Sequence, residues 1–336
     1  MKRGLLIWVG LSVSAMGAEP QPKLGQRLER RGDEIMVCGQ LFHTTTKVVL
    51  WTDPGGYDAY RVERRFAPRD QAEAKAKEPA KRAANASELG SQRYGLRTRG
   101  LTKDQIEKIR GGGWDLPLLQ QVVDQFVIHF DARGGSPRCF QVLHDQRGLS
   151  VQFMLDLDGT IYQTLDAKEA AWHATIANSR SIGIEVANIG AFPAGGSNLL
   201  GDWYRPDADG RIRVVDPKAD KARAPINPAA GLSPSRGEKI VGTIQGQRLE
   251  QYDYTPQQYE ALAKLAATLC GIFPKIRCDY PRDEKGILIP QKLPNDQLER
   301  YQGILGHYHI QTNRVDPGPA FQWDRLIDES RRLMSR

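Results

Sequence analysis

The chain has 336 residues, of which 40% are hydrophobic and 26% charged, and its formal net charge is +7. This length allows one large domain or two ordinary ones, and the hydrophobic content excludes a wholly disordered chain. The lysines and arginines are scattered instead of clustered, so the composition indicates no nucleic-acid partner. Beyond the first residues, no stretch is apolar and long enough for stable insertion into a membrane.

The first residues have the layout of an export signal. Lys2 and Arg3 form a basic start, residues 4–16 are mostly apolar, and small residues surround Ala18. This order is typical of a signal peptide, and the apolar run is too short to span a bilayer comfortably. We therefore expect residues 1–18 to be removed from an exported protein, periplasmic or secreted. A buried N-terminal strand is the alternative.

Residues 19–120 are predicted to form an N-terminal extension with short strands and a charged linker. Residues 34–41 and 47–51 have strand-like patterns. Residues 67–92 are rich in Ala, Lys, Glu and Arg without an apolar stripe, which is typical of an exposed linker or helix. A short helix is predicted next, because Thr102 and Gln105 have the spacing of a capping box.

Residues 121–336 alternate between strand and helix patterns, which predicts one α/β domain with a central mixed β-sheet and helices on both faces. The predicted strands are 122–130, 150–155, 160–165 and 181–187, the middle two forming a hairpin around Asp158-Gly159. Helices are predicted to start at Ser136-Pro137, at Thr255-Pro256 and at about Pro319. We interpret residues 193–250, rich in Gly, Pro, Asp and Arg, as a long insertion.

Two histidines and a carboxylate on separate elements suit catalytic zinc, which binds N and O donors and keeps one position for water. His129 ends an apolar strand, where a histidine is more often part of the core. His307 and His309 precede a loop that reaches Asp316. No short local zinc motif is present, so spacing does not by itself select the ligands.

Residues 124–330 resemble the zinc-dependent N-acetylmuramoyl-L-alanine amidases, a family that includes the peptidoglycan recognition proteins. The matching segments, in chain order, are Phe126-Val127-Ile128-His129, Asp158-Gly159-Thr160-Ile161-Tyr162-Gln163, Ala171-Trp172-His173-Ala174, Ser181-Ile182-Gly183-Ile184-Glu185, Gly306-His307 and Asp316-Pro317-Gly318-Pro319-Ala320-Phe321. The resemblance implies the α/β fold of that family, with the small β-containing extension before it. It also implies hydrolysis of the amide bond between N-acetylmuramic acid and L-alanine in peptidoglycan or muropeptides, by a protein we expect to be a monomer.

The resemblance further implies that His129, His307 and Asp316 bind Zn²⁺. His309 is a rival to His307, but the glycine that precedes His307 matches the family pattern. A rigid Pro-Gly-Pro turn follows Asp316 and presets its backbone.

Three other residues receive roles from the same resemblance. Glu185 is implied to be the general base, and on strand 181–187 it shares with Gly183 the face opposite Ile182 and Ile184. Arg314 stands where the family often has a lysine that stabilises the oxyanion. His173 is implied to contact the substrate or the transition state, with a structural histidine as the equal alternative.

The chain departs from its relatives at Gln152, where many carry histidine, and in the long insertion; both departures concern substrate fit. The other functions considered are a peptidoglycan-binding protein without activity and a zinc peptidase that acts on the stem peptide.

The four cysteines leave several pairings open. In an oxidising compartment Cys270 and Cys278 could close a small loop, while Cys38 and Cys139 could pair or stay free. Two cysteine–histidine pairs, at 139/144 and 38/43, lack a third catalytic partner, so packing is the favoured interpretation.

Overall fold

A computed structural model describes residues 24–26, 28–60, 94–215, 217 and 232–335. Gly32–Arg336 forms one compact unit, distinct from Met1–Arg31. The predicted signal peptide, the charged segment 67–92 and part of the insertion lie outside the described residues. Among the described helices, none combines the length and the apolar character needed to span a bilayer.

The described chain contains short strands and seven α-helices in alternation. The strands are β1 Glu34–Val37, β2 Gln40–His43, β3 Val48–Leu50, β4 Tyr94–Gly95, β5 Gln125–Phe130, β6 Phe153–Leu155, β7 Ile161–Gln163, β8 Ala170–Ala171, β9 Ser181–Val186, β10 Phe192–Pro193, β11 Tyr204–Pro206, β12 Ile212–Val214, β13 Ile240–Ile244, β14 Gln247–Gln251 and β15 Gly303–Gly306. The helices are α1 Lys103–Arg110, α2 Leu116–Val122, α3 Ser136–Phe140, α4 Leu199–Trp203, α5 Pro256–Ile272, α6 Asn295–Arg300 and α7 Trp323–Met334.

Six strands form the central sheet in the order β15-β5-β9-β6-β7-β3. The first four run parallel to one another, β7 pairs antiparallel with β6, and β3 pairs parallel with β7. The predicted mixed sheet and the hairpin around Asp158-Gly159 are therefore confirmed. The sequence did not predict that β3, from the N-terminal extension, would provide an edge strand of this sheet.

The two faces of the sheet bury different side chains. Ile128 of β5 and Ile184 of β9 lie in the largest apolar cluster, together with residues of α5 and α7. On the opposite face Val127 packs against Leu298 of α6. His129 and Glu185 follow the alternation onto this second face and are register partners on adjacent strands. The predicted helices on both faces, and the predicted orientation of Glu185, are confirmed.

Several predicted boundaries were wrong, each for a local reason. Residues 34–41 form two strands instead of one, because Cys38 and Gly39 both have positive φ and turn the chain between β1 and β2. Val122 ends helix α2, whose N-cap Asp115 was not recognised, so β5 begins only at Gln125. Helix α7 begins at Trp323, four residues later than predicted, and α6 was missed.

Candidate metal centre and catalytic cleft

His129, His307 and Asp316 converge at the carboxyl end of two neighbouring parallel strands. His129 lies near the end of β5, and His307 directly follows β15, whose Gly306 pairs with Ile128. The two Nδ1 atoms are 2.9 Å apart, and Asp316 Oδ2 lies 2.9 Å from Nδ1 of His129 and 3.0 Å from Nδ1 of His307. All three side chains are buried. Three potential ligand atoms thus meet at one point.

The outer nitrogens of both imidazoles have their own partners. His307 Nε2 lies 2.7 Å from Gln311 Oε1, an atom that only accepts, so Nε2 carries the proton and Nδ1 keeps a lone pair. His129 Nε2 lies 2.9 Å from Nδ1 of His173, whose Nε2 is 3.3 Å from Ser181 Oγ. Donation along this chain, from His129 to His173 to Ser181, also leaves Nδ1 of His129 unprotonated.

The protonation states suit a divalent cation. Burial and the neighbouring His307 lower the pKa of His129 to about 4, so this imidazole is neutral near pH 7. Burial alone would raise the pKa of Asp316, but the interactions with His307 and His129 outweigh it and hold that pKa well below its usual range. Two imidazole nitrogens and one carboxylate oxygen form a donor set that suits zinc, so these residues fit the ion.

Glycine at position 306 allows the two ligand segments to approach each other. A Cβ atom at Gly306 would lie 2.7 Å from Cδ of Pro317, so a larger residue would push the Asp316-Pro317 segment away. The backbone N–H of Tyr308 also donates to the carbonyl of Asp316. The glycine of the Gly306-His307 motif therefore has a packing role at the site.

His309, the rival ligand, lies outside this cluster. Its Nδ1 accepts from the N–H of Gly306, and its Nε2 donates to the carbonyl of Ile289, both at 2.9 Å. Burial lowers its pKa to about 3, so it is a neutral core residue with both nitrogens occupied. The imidazole beside His129 and Asp316 is that of His307.

Glu185 lies beside His129 on the sheet and lines the same cleft. Its carboxyl group has no hydrogen-bond partner among the described residues. Burial raises its pKa well above the usual value; the charges of Asp316 and Asp131 act in the same direction, and Arg314 opposes them in part. A half-buried carboxyl with a raised pKa is suited to taking up and releasing a proton during a reaction.

The cleft has a volume of about 140 Å³ and combines an apolar wall with a basic rim. Phe130, Val142, Leu143, Leu149 and Trp172 form the wall. Three exposed arginines, Arg133, Arg147 and Arg314, line it too, and within the described chain none of them forms a salt bridge. The basic rim favours an anionic substrate.

The remaining candidates from the sequence have packing or hydrogen-bonding roles in the fold. Gln152 is fully buried and bonds the N–H of Gly183 and the carbonyl of Glu169, so it supports the sheet. Burial raises the pKa of the Cys139 thiol well above its usual value, and His144 stacks on Phe140.

All four cysteines are free thiols, and Sγ of Cys278 donates to the carbonyl of Ile327 at 3.9 Å. Burial raises the pKa of Cys38 to about 12, which is not the environment of a nucleophile.

The sequence patterns did not point to Gln311, Arg133 or Arg147. Gln311 lies four residues after His307 in an irregular turn, and the two arginines lie on loops, so no periodic pattern points to them.

Solved structures that match the chain include AmpD, at 16% identity, TM-score 0.35 and coverage of 71% of this chain and 90% of that one. A complex of AmiD from E. coli with anhydro-N-acetylmuramic acid-L-Ala-D-gamma-Glu-L-Lys matches at 18% identity and TM-score 0.35, covering 62% of this chain and 57% of that one. The endolysin amidase LysCS from Clostridium intestinale matches at 16% identity and TM-score 0.32, covering 63% and 85%. No curated protein sequence matches the chain.

The family model for N-acetylmuramoyl-L-alanine amidases matches residues 119–319, well over half of the chain. The matched range includes both histidines and the aspartate of the cluster, together with Glu185, His173 and Arg314. The chain therefore belongs to the N-acetylmuramoyl-L-alanine amidase family and is an amidase of peptidoglycan.

Proposed function

We propose that this amidase is zinc-dependent and that His129, His307 and Asp316 hold the ion. The observation that carries the proposal is the convergence of two Nδ1 atoms and one carboxylate oxygen within 3.0 Å of one another. A zinc ion held there would supply Lewis-acid activation of the scissile carbonyl and of the water nucleophile. A binding protein without activity has no need of this complete ligand set.

Glu185 is the proposed general base. Glu185 is the register partner of His129 on the adjacent strand and lines the cleft, and its carboxyl group is free of hydrogen bonds among the described residues. It would take the proton from the attacking water and deliver it to the amine of the departing alanine. The raised pKa matches this shuttle, because the group must be a base in one step and an acid in the next.

Arg314 and His173, which both line the cleft, are proposed to support the reaction. The Arg314 guanidinium stands at the rim of the cleft, where a cation stabilises the developing oxyanion. His173 lines the cleft and is bonded to Nε2 of His129, so we assign it to the orientation of this ligand as well as to substrate contact.

The location and organisation of the protein also belong to the proposal. The layout of residues 1–18 supports an exported, periplasmic or secreted protein, which would meet peptidoglycan or muropeptides there and act as a monomer. Residues 121–336 would carry the catalytic site, with 193–250 as an insertion. The arginines at the rim suit a substrate that carries carboxylates.

Digestion of purified peptidoglycan, with the released fragments identified by mass, tests the proposal. Sugar strands without peptide, together with peptides that begin with alanine, are the expected products. Shortened stem peptides would identify a peptidase, and intact peptidoglycan a binding protein.

Two variants complete the test. Glu185→Gln is expected to keep bound zinc and to lose about 10²–10⁴-fold in kcat, because the amide cannot accept the proton. His129→Ala is expected to lose both zinc and activity. A fully active Glu185→Gln variant would remove Glu185 from the mechanism, and stoichiometric zinc in His129→Ala would reject the ligand set.

A further inference from the structure

The hairpin of β13 and β14, at the end of the proposed insertion, contacts the segment that carries two of the three proposed ligands. At its tip, Nε2 of Gln245 donates to the carbonyls of Tyr308 at 2.8 Å and Gln311 at 2.9 Å. Gln311 in turn accepts from Nε2 of His307 at 2.7 Å. The tip of the hairpin is thus connected to the His307 imidazole through one intermediate residue.

The other end of the hairpin holds the aspartate turn. Gln251, the last residue of β14, is fully buried; its Nε2 donates to the carbonyl of Pro317 and its Oε1 accepts from the N–H of Ala320, both at 3.1 Å. Gly318 lies against this side chain with a φ of +88°, so neither a Cβ atom nor an L-residue conformation is readily accommodated there. The hydroxyl of Tyr254 donates to the same Pro317 carbonyl at 2.7 Å.

We propose that the β13–β14 hairpin positions the metal ligands, with Gln245 and Gln251 as positioning residues for His307 and Asp316. The inference rests on the proposed zinc site. Residues 307–316 form one turn of 3-10 helix followed by irregular chain, and one backbone hydrogen bond, from Tyr308 N–H to the Asp316 carbonyl, joins the two ends of the segment. Hydrogen bonds from a separate hairpin further restrict the separation of the two ligands, and such outer contacts tune metal affinity.

The turn at the tip adds independent support. Gln245 and Gly246 have φ values of +54° and +72°, the pattern of a two-residue turn in which both central residues lie in the left-handed region. Asn-Gly is the favoured pair there, whereas a long side chain with positive φ is unusual. A glutamine at this position is explained by the reach of its amide to Tyr308 and Gln311.

This turn allows a direct test of the positioning role of Gln245. Gln245→Asn keeps and favours the turn, but the side chain is one methylene shorter and no longer reaches both carbonyls. The variant loses hydrogen bonds but gains a residue that this turn favours, so the metal-free protein is expected to stay folded and to melt within a few degrees of the parent protein. Its Kd for zinc, measured by competition with a chelating dye, is expected to rise about 10- to 100-fold.

Gln251→Ala should raise the zinc Kd in the same way, with a matched control in Gln163→Ala. Gln163 is also fully buried and also bonds backbone groups, those of Met36 and Leu165, but it contacts no ligand segment. The control should lose stability and bind zinc as the parent does.

The outcomes distinguish a failure of the proposed metal centre from a failure of the positioning role. A parent protein that binds no zinc overturns the proposed metal centre and the positioning role with it. A parent that binds zinc, alongside a Gln245→Asn variant of unchanged Kd, overturns the positioning role alone. If Gln251→Ala does not fold, Gln245→Asn still decides the question.

Discussion

Gly183→Ala is expected to weaken zinc binding and activity by displacing His173, without direct contact with a proposed zinc ligand. Gly183 lies on β9 directly under the His173 ring, and a Cβ atom there would come within 2.6 Å of Cε1 and Nδ1 of that ring. Ordinary contacts begin at 3.4 Å, so the ring must move by about 0.8 Å. A shift of this size can lengthen the hydrogen bond between His173 Nδ1 and His129 Nε2 from 2.9 Å to at most about 3.7 Å, so we expect this bond to be weakened or lost.

The Gly183→Ala substitution has two expected consequences, one for stability and one for zinc binding and activity. Overpacking should lower the free energy of unfolding by about 1–3 kcal/mol, which leaves the protein folded. His129 would lose the partner that sets its orientation and protonation, so zinc affinity and kcat/KM should each fall about 10- to 100-fold. The assays are zinc competition with a chelating dye and release of alanine-terminated peptide from a muropeptide.

The control is a glycine-to-alanine change without a steric conflict. Gly201 lies in α4, and a Cβ atom there meets nothing within 4 Å, so Gly201→Ala should keep full activity and stabilise the helix by up to about 1 kcal/mol. A Gly183→Ala protein with unchanged zinc affinity and turnover would refute the proposed role of His173.

Two other predictions concern charge. Arg314→Ala should lower kcat by about 10²–10³-fold with little change in bound zinc, because the cation is proposed to act on the transition state. Arg314→Lys keeps the charge and should retain more activity. Equal losses of kcat in the two variants would contradict this role. The metal-free protein should lose stability as pH falls, because burial lowers the pKa of His129 to about 4 and that of His309 to about 3, whereas the unfolded imidazoles titrate near 6.5. This stabilisation is complete above about pH 6.5. Below that pH, each imidazole should lower the free energy of unfolding by up to about 1.4 kcal/mol per pH unit until its folded pKa is reached. A free energy of unfolding in urea that is unchanged between pH 7 and pH 5 would contradict the burial of these neutral groups.

The sequence alone determined those features that depend on neighbours along the chain. The alternation in residues 181–187 placed Gly183 and Glu185 on the face opposite Ile182 and Ile184, as β9 confirms. Thr255 and Pro256 marked the start of α5, where a capping box forms. Collinear motifs identified the family, because each preserves the local backbone that presents one functional side chain.

Tertiary structure alone decided how these side chains meet. The sequence left His307 and His309 as rivals, and only packing shows that both nitrogens of His309 are occupied in the core. The contacts of His173 with His129, of Gln251 with Pro317, and of β3 with β7 join residues 44 to more than 100 positions apart. Pairings at such separations are set by the mutual fit of the whole core, and a short sequence pattern reports only the geometry of its own turn or strand.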